Sequence, residues 1–176
     1  YAMQSTIIRK RITPTDKNGF VQYDIEVEDK RFLFLDTVQK NSHAGYYCDK
    51  RQSWLVNKLD ESLKKSQNIF IFMHHNPFPL VQLESDLIGL LDRDQFRSII
   101  ENYKNIIKHI FFGHQHITVS GNYLGIPFSS PRSINHPLVP NFSNEYRLGS
   151  ANTEPSYNIA LINNDSLIIH NEDFLK

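Results

Sequence analysis

Two short apolar runs that each end in histidines constrain this chain more than any other feature. Ile106-Ile107-Lys108-His109-Ile110-Phe111-Phe112 leads into Gly113-His114-Gln115-His116, and Asn68-Ile69-Phe70-Ile71-Phe72-Met73 leads into His74-His75-Asn76-Pro77. Each run is rich in Ile and Phe and too short for an ordinary helix, so each reads as a buried strand. Side chains two apart in an extended segment share a side, which lets His114 and His116 face one point. Gly113 adds no side chain there and allows backbone and ligand to come close.

The segments around these runs predict the elements that hold them. Tyr23, Ile25 and Val27 alternate with polar residues as in a half-buried strand. The turn Glu28-Asp29-Lys30 joins it to Phe32-Leu33-Phe34-Leu35, a hairpin whose second strand ends at Asp36-Thr37. Residues 38–48 read as loop. Asp49 is expected to cap a helix carrying Trp54, Leu55, Leu59 and Leu63, and Asp92 a second one carrying Phe96, Ile99, Ile100 and Tyr103. Strand, helix, strand, helix, strand predicts a parallel sheet with covering helices. Beyond His116, strands around a turn are expected over 117–128, then a long proline-punctuated loop over 129–153 with Arg132, Asn135, His136 and Arg147. A hairpin of Tyr157 to Ile162 and Leu167 to His170 ends the chain, and residues 3–18 read as polar and irregular.

The 176 residues read as one domain, 1–176, and 19 basic against 19 acidic residues leave no field that favours nucleic acid or an anionic membrane. The single Cys48 cannot form an internal disulfide. No apolar run approaches the ~20 residues of a membrane span. A cytoplasmic protein is the expectation.

Ligands of an open α/β sheet bind beyond the carboxyl ends of its strands, where both histidine clusters are placed. Neutral imidazole is the commonest metal ligand, so two such clusters on neighbouring strands point to a metal site. Of the remaining histidines, His43, His109 and His170 read as ordinary loop or strand residues, while His136 is placed to line the site from the long loop. Asp36 reads as a turn or cap residue.

Met73-His74-His75-Asn76-Pro77 resembles the His-His-Pro-Pro box of calcineurin-like metallophosphoesterases, and Gly113-His114-Gln115-His116 their Gly-His-x-His box. The branch resembled most is that of the Icc-type cyclic-nucleotide phosphodiesterases. Leu35-Asp36-Thr37 before a helix with Gln52-Ser53-Trp54-Leu55, and Ile126-Pro127-Phe128-Ser129 after the second box, agree with it. The resemblance implies the C-terminal half of a four-layer α/β/β/α sandwich. It implies that His74 and His114 ligate one divalent ion of a pair and His116 the other, with His75 and Asn76 behind them or in the substrate cleft. The metals it implies are Mn, Fe or Zn, and the substrate a phosphate ester, cyclic nucleotides included.

The family's Asp-x-His, Gly-Asp and Gly-Asn-His boxes do not occur here; the one Gly-Asn, Gly121-Asn122, is followed by Tyr123. Neutral imidazoles bring no negative charge to a pair of dications, so the chain by itself is expected to be weakly active or inactive. The alternatives are a non-catalytic, truncated or partner-dependent half, and a mononuclear His₃ zinc hydrolase. Uncovered apolar strands lead us to expect a homo-oligomer, or a missing N-terminal half as partner.

Overall fold

Apolar alternation decides which faces of the strands are covered. The computed structural model describes residues 14–174 apart from 82, 144 and 146–148. The first part of the expected irregular stretch, and Arg147, lie outside the described residues. The strands are β1 (Tyr23–Val27), β2 (Lys30–Phe34), β3 (Asn68–Phe72), β4 (Ile107–Phe111), β5 (Val119–Tyr123), β6 (Ile126–Ser130), β7 (Ser156–Ile162) and β8 (Leu167–Asp173). The helices are α1 (Asp49–Lys64), α2 (Leu83–Ile88) and α3 (Arg93–Tyr103). No helix among the described residues is long and apolar enough to cross a membrane.

The first six strands form one sheet in the order β1-β2-β3-β4-β6-β5. β2, β3, β4 and β6 run parallel, while β1 and β5 pair antiparallel at the two edges. Strands 68–73 and 106–112 are thus adjacent and parallel, as expected. The β5–β6 hairpin turns at Leu124-Gly125, both with positive φ, the backbone that a two-residue hairpin turn favours.

Leu33, Ile69, Ile71 and Ile110 are fully buried among Leu55 and Leu59 of α1 and Phe96 and Ile100 of α3. Each such side chain contributes about 1.5–3 kcal/mol of burial. Leu63, expected on the same stripe, is 56% exposed, and Ser62 takes its place in the interface. The reason is angular: at 3.6 residues per turn, 55, 59 and 62 share a face and 63 falls outside it. Arg31 also points inward, where Asp24 and Glu61 each approach its guanidinium to 2.8 Å or less. A buried cation is tolerated only when paired in this way.

The opposite face carries a row of aromatic rings. The register sets Tyr23 beside Phe34, Phe34 beside Phe72 and Phe72 beside Phe111, with centroids 4.6, 4.9 and 4.6 Å apart. Such cross-strand aromatic pairs add about 0.5–1.5 kcal/mol each beyond their burial. The separate β7–β8 hairpin lies over this face, its turn residues Asn163 and Asp165 sharing a cleft with Lys30, Asn68, Phe70 and Lys108. The described residues therefore form a helical layer, a six-stranded sheet and a two-stranded sheet.

Both expected helix caps differ in detail. Asp49 is the first helical residue rather than the cap, which is Cys48, and no side chain closes that terminus. Asp92 does precede α3 but makes no cap bond there. Its carboxylate instead accepts from Tyr47 N at 2.9 Å and Gln52 Nε2 at 3.1 Å, tying the loop before α1 to α3. Removing it leaves the amide of fully buried Tyr47 unpaired. Asp92→Ala is therefore expected to lower stability by about 1–3 kcal/mol in urea unfolding.

Candidate metal centre

β3 and β4 end level with one another, and their backbone pairing continues past the strands. Met73 N donates to Phe111 O at 3.0 Å, and Gly113 N to His74 O at 3.0 Å. Each box thus emerges from the carboxyl end of its strand at the same edge of the sheet. The consequence is direct contact between them. His114 Nδ1 and His74 Nε2 stand 3.0 Å apart, and the His75 ring lies 4.9 Å from His74 and 4.4 Å from His114. A ring nitrogen from each of the three lies within 4.8 Å of the others.

Burial first, with the charge of His74 second for His75 and that of His75 second for His114, holds both down to about 4. Burial first and His116 second also lower His74. All three are therefore neutral near pH 7, the form that ligates metals. His114 Nε2 is buried with no hydrogen-bond partner among the described residues. Two facing imidazole nitrogens and one orphaned nitrogen are donor atoms that a divalent ion fits. The trio contains no carboxylate.

His75 differs from its neighbours. Its Nε2 lies 3.2 Å from the carbonyl of His43 and its Nδ1 2.7 Å from Thr37 Oγ1. A carbonyl only accepts, so Nε2 carries the proton, and Nδ1 accepts from the Thr37 hydroxyl. Both nitrogens are thereby engaged. Asn76 is fully buried, donates to Phe78 O at 2.9 Å and accepts from Gln115, a strut between the two boxes.

His116 falls outside the trio and faces His136, ring to ring at 4.2 Å, its Nδ1 3.0 Å from His136 O. The two-apart rule does not hold at this point because the chain has left the strand. His114 and His116 both adopt left-handed backbone, with φ of 67° and 55°. Non-glycine residues held so cost about 1–3 kcal/mol each, and such residues cluster at functional sites. His109 accepts or donates at Ser129 Oγ, 2.9 Å away within the core, and the Asp36 carboxylate accepts from the amides of Val21 and Val38, both as ordinary structural residues do.

Thr37, Gln115, Gly45 and Gly89 are the supports that sequence reasoning missed. Thr37 had one signal, its place at a strand end. The glycines had none, because their partners are distant in sequence. A Cβ on Gly45 would lie 2.5 Å from the His75 ring, and one on Gly89 2.8 Å from the Asn76 amide. At Gly113, where space seemed necessary, a Cβ would meet nothing nearer than 4.0 Å. We therefore expect Gly45→Ala to lose about 1–3 kcal/mol by overpacking, and Gly113→Ala to stay within about 0.5 kcal/mol, both read by urea unfolding.

No family model matches the chain. It is 28% identical over 164 residues to a probable cyclic nucleotide phosphodiesterase of Rhodopseudomonas palustris, covering 92% of this chain and 59% of that protein. It is 28% identical over 96 residues to a glycerophosphodiester phosphodiesterase of Enterobacter lignolyticus, covering 54% of this chain and 34% of the relative. The chain thus spans about a third to three fifths of the length of these curated relatives. The crystal structure of a dimetal phosphatase from Danio rerio superposes with a TM-score of 0.58 at 14% identity, over 73% of this chain and 56% of that one, a likeness of fold. Taken with the His-His-Asn-Pro and Gly-His-Gln-His boxes, these likenesses are consistent with a calcineurin-like metallophosphoesterase, matched over part of the relatives' length.

Proposed function

We propose that this chain carries the histidine side of a metal-dependent phosphoesterase site that acts on phosphate diesters or monoesters, cyclic nucleotides among the diesters. The observation that supports it most is the meeting of His74 and His114 at the ends of adjacent parallel strands, their nitrogens 3.0 Å apart. These two residues would hold one divalent ion, and His116 a second, with Mn, Fe or Zn all suited to such nitrogen ligands. When bound, metals of this kind polarise phosphoryl oxygens and lower the pKa of a coordinated water.

The chain's own residues supply the framework for that chemistry. His74 and His114 present neutral nitrogens, since burial opposes their protonation. Asn76 and Gln115 fix the spacing of the two loops. His136, against His116, is placed to line the approach of the ester. The names of the relatives support a phosphodiester as substrate, one a cyclic nucleotide and the other a glycerophosphodiester.

A mononuclear site on three imidazoles draws support from the trio of His74, His75 and His114. The engagement of both His75 nitrogens counts against it. A partner-dependent or non-catalytic chain draws support from the lack of a carboxylate in the cluster. For self-association, the support is the exposed outer face of the hairpin, with Ile159, Leu161 and Ile168 all more than 40% exposed.

Three measurements test these readings. Calorimetric titration with Mn(II) or Zn(II) should show binding that His114→Ala weakens at least tenfold, and equal affinity in both removes the site. With bis(p-nitrophenyl) phosphate and Mn(II), the chain alone should turn over far below the ~1–10³ per second of ordinary enzymes. Light scattering at micromolar concentration should report a dimer; a clean monomer removes the self-association.

A further inference from the structure

Of the three clustered imidazoles, one is held differently from the others, and the residue that holds it comes from a third element of the fold. Thr37 follows β2, the neighbour of β3, and is 1% exposed. Its hydroxyl reaches His75 Nδ1 at 2.7 Å, while the His43 carbonyl takes His75 Nε2 at 3.2 Å. The main chain braces the same contact, for His75 N lies 3.5 Å from Thr37 Oγ1 and Tyr46 N donates to Thr37 O at 3.0 Å. Gly45 closes the far side so tightly that no Cβ fits against the ring. His75 is therefore clamped in orientation and in tautomer at once. Distance does not exclude it from ligation, since its nitrogen lies within 4.8 Å of those of His74 and His114. What excludes it is that neither nitrogen has a free lone pair: one carries the proton given to His43, and the other accepts from Thr37.

We propose that Thr37 is a positioning residue of the metal centre, whose hydroxyl holds His75 in the Nε2–H tautomer and so keeps it out of the coordination sphere. The proposal rests on the metal reading above. By this device a cluster of three neighbouring histidines offers a metal two imidazoles, His74 and His114. A position is left for a ligand of another kind, water or a phosphoryl oxygen, where a third imidazole would otherwise sit. Without the hydroxyl, His75 Nδ1 is a buried acceptor with nothing to accept from. It then regains a partner by taking the proton itself or by binding the metal.

The test uses the full chain labelled with nitrogen-15 at histidine, first without metal. Two-bond proton–nitrogen correlations report which nitrogen of His75 carries the proton, and His75→Gln assigns its signals. The expected result is Nε2–H alone in the wild type and in Thr37→Ser, and a mixture of both tautomers in Thr37→Val, which conserves volume, and in Thr37→Ala. An Nδ1–H His75 in the wild type overturns the proposal even if neither apolar variant folds. An unchanged spectrum in a folded Thr37→Val or Thr37→Ala does the same. With Co(II) added, X-ray absorption should count one imidazole more in Thr37→Val than in the wild type, and the wild-type number should return in Thr37→Ser. Equal counts in wild type and Thr37→Val overturn the claim that Thr37 excludes His75. If the wild type binds no Co(II), the metal reading fails, while the tautomer spectra still decide whether Thr37 clamps His75.

Discussion

The parallel pairing of β3 with β4 is the interaction on which the rest of the candidate site depends. Phe72 pairs with Phe111, and the ladder runs on through Met73 N to Phe111 O and Gly113 N to His74 O. Because side chains alternate along a strand, a slip of one residue would send His74 and His114 to opposite faces. The pairing is specified twice over. On the helix side, Ile71 and Ile110 must be covered by α1 and α3, and on the other side Phe72 must stack on Phe111. Two independent packing surfaces that demand the same register make any alternative pairing expensive on both.

A strand end fixes where a loop begins but not where its side chains go, and here polar contacts from outside the strands complete the task. Thr37 and the His43 carbonyl clamp His75, and Gln115 and Phe78 O clamp Asn76. Gly45 and Gly89 are themselves joined, Gly45 N donating to Gly89 O at 3.1 Å, so the floor beneath the two boxes is one hydrogen-bonded surface. Asp92 ties that floor to α1 and α3. The left-handed backbone at His114 and His116 is strained, and it is held by this surround rather than by its own preference.

This division explains which features could be read from the sequence. The parallel pairing of strands 68–73 and 106–112, the hairpins and the meeting of the two boxes follow from local apolar patterning, which the residues display directly. The same patterning placed Phe96 and Ile100 in the core correctly and Leu63 wrongly, since a one-residue shift on a helix rotates a side chain by about 100°. The departure of His116 from His114 depended on the φ of two loop residues, for which histidine gives no warning. The close approaches at Gly45 and Gly89 are contacts across many residues, while the glycine inside the motif, Gly113, has open space. Glycine content marks where close packing is allowed, and only the fold decides where it is used.

Charge sets the limit on what the cluster can hold. Three neutral imidazoles can share one dication at little electrostatic cost, because the ion's charge is then balanced by solvent or by a single anionic ligand. Two dications at the ~3.5–4 Å of a binuclear site repel each other by about 17–19 kcal/mol even at an effective dielectric of 20. Imidazole lone pairs stabilise each ion singly and do nothing to screen one from the other. Anionic oxygen between them does, and among the described residues the histidine trio includes none. A second metal on His116 therefore requires that an anion join the site along with it: a carboxylate from elsewhere, or the phosphate of the substrate. The exclusion of His75 by Thr37 belongs to the same logic, since every imidazole kept off the metal leaves a coordination position that a negatively charged oxygen can take.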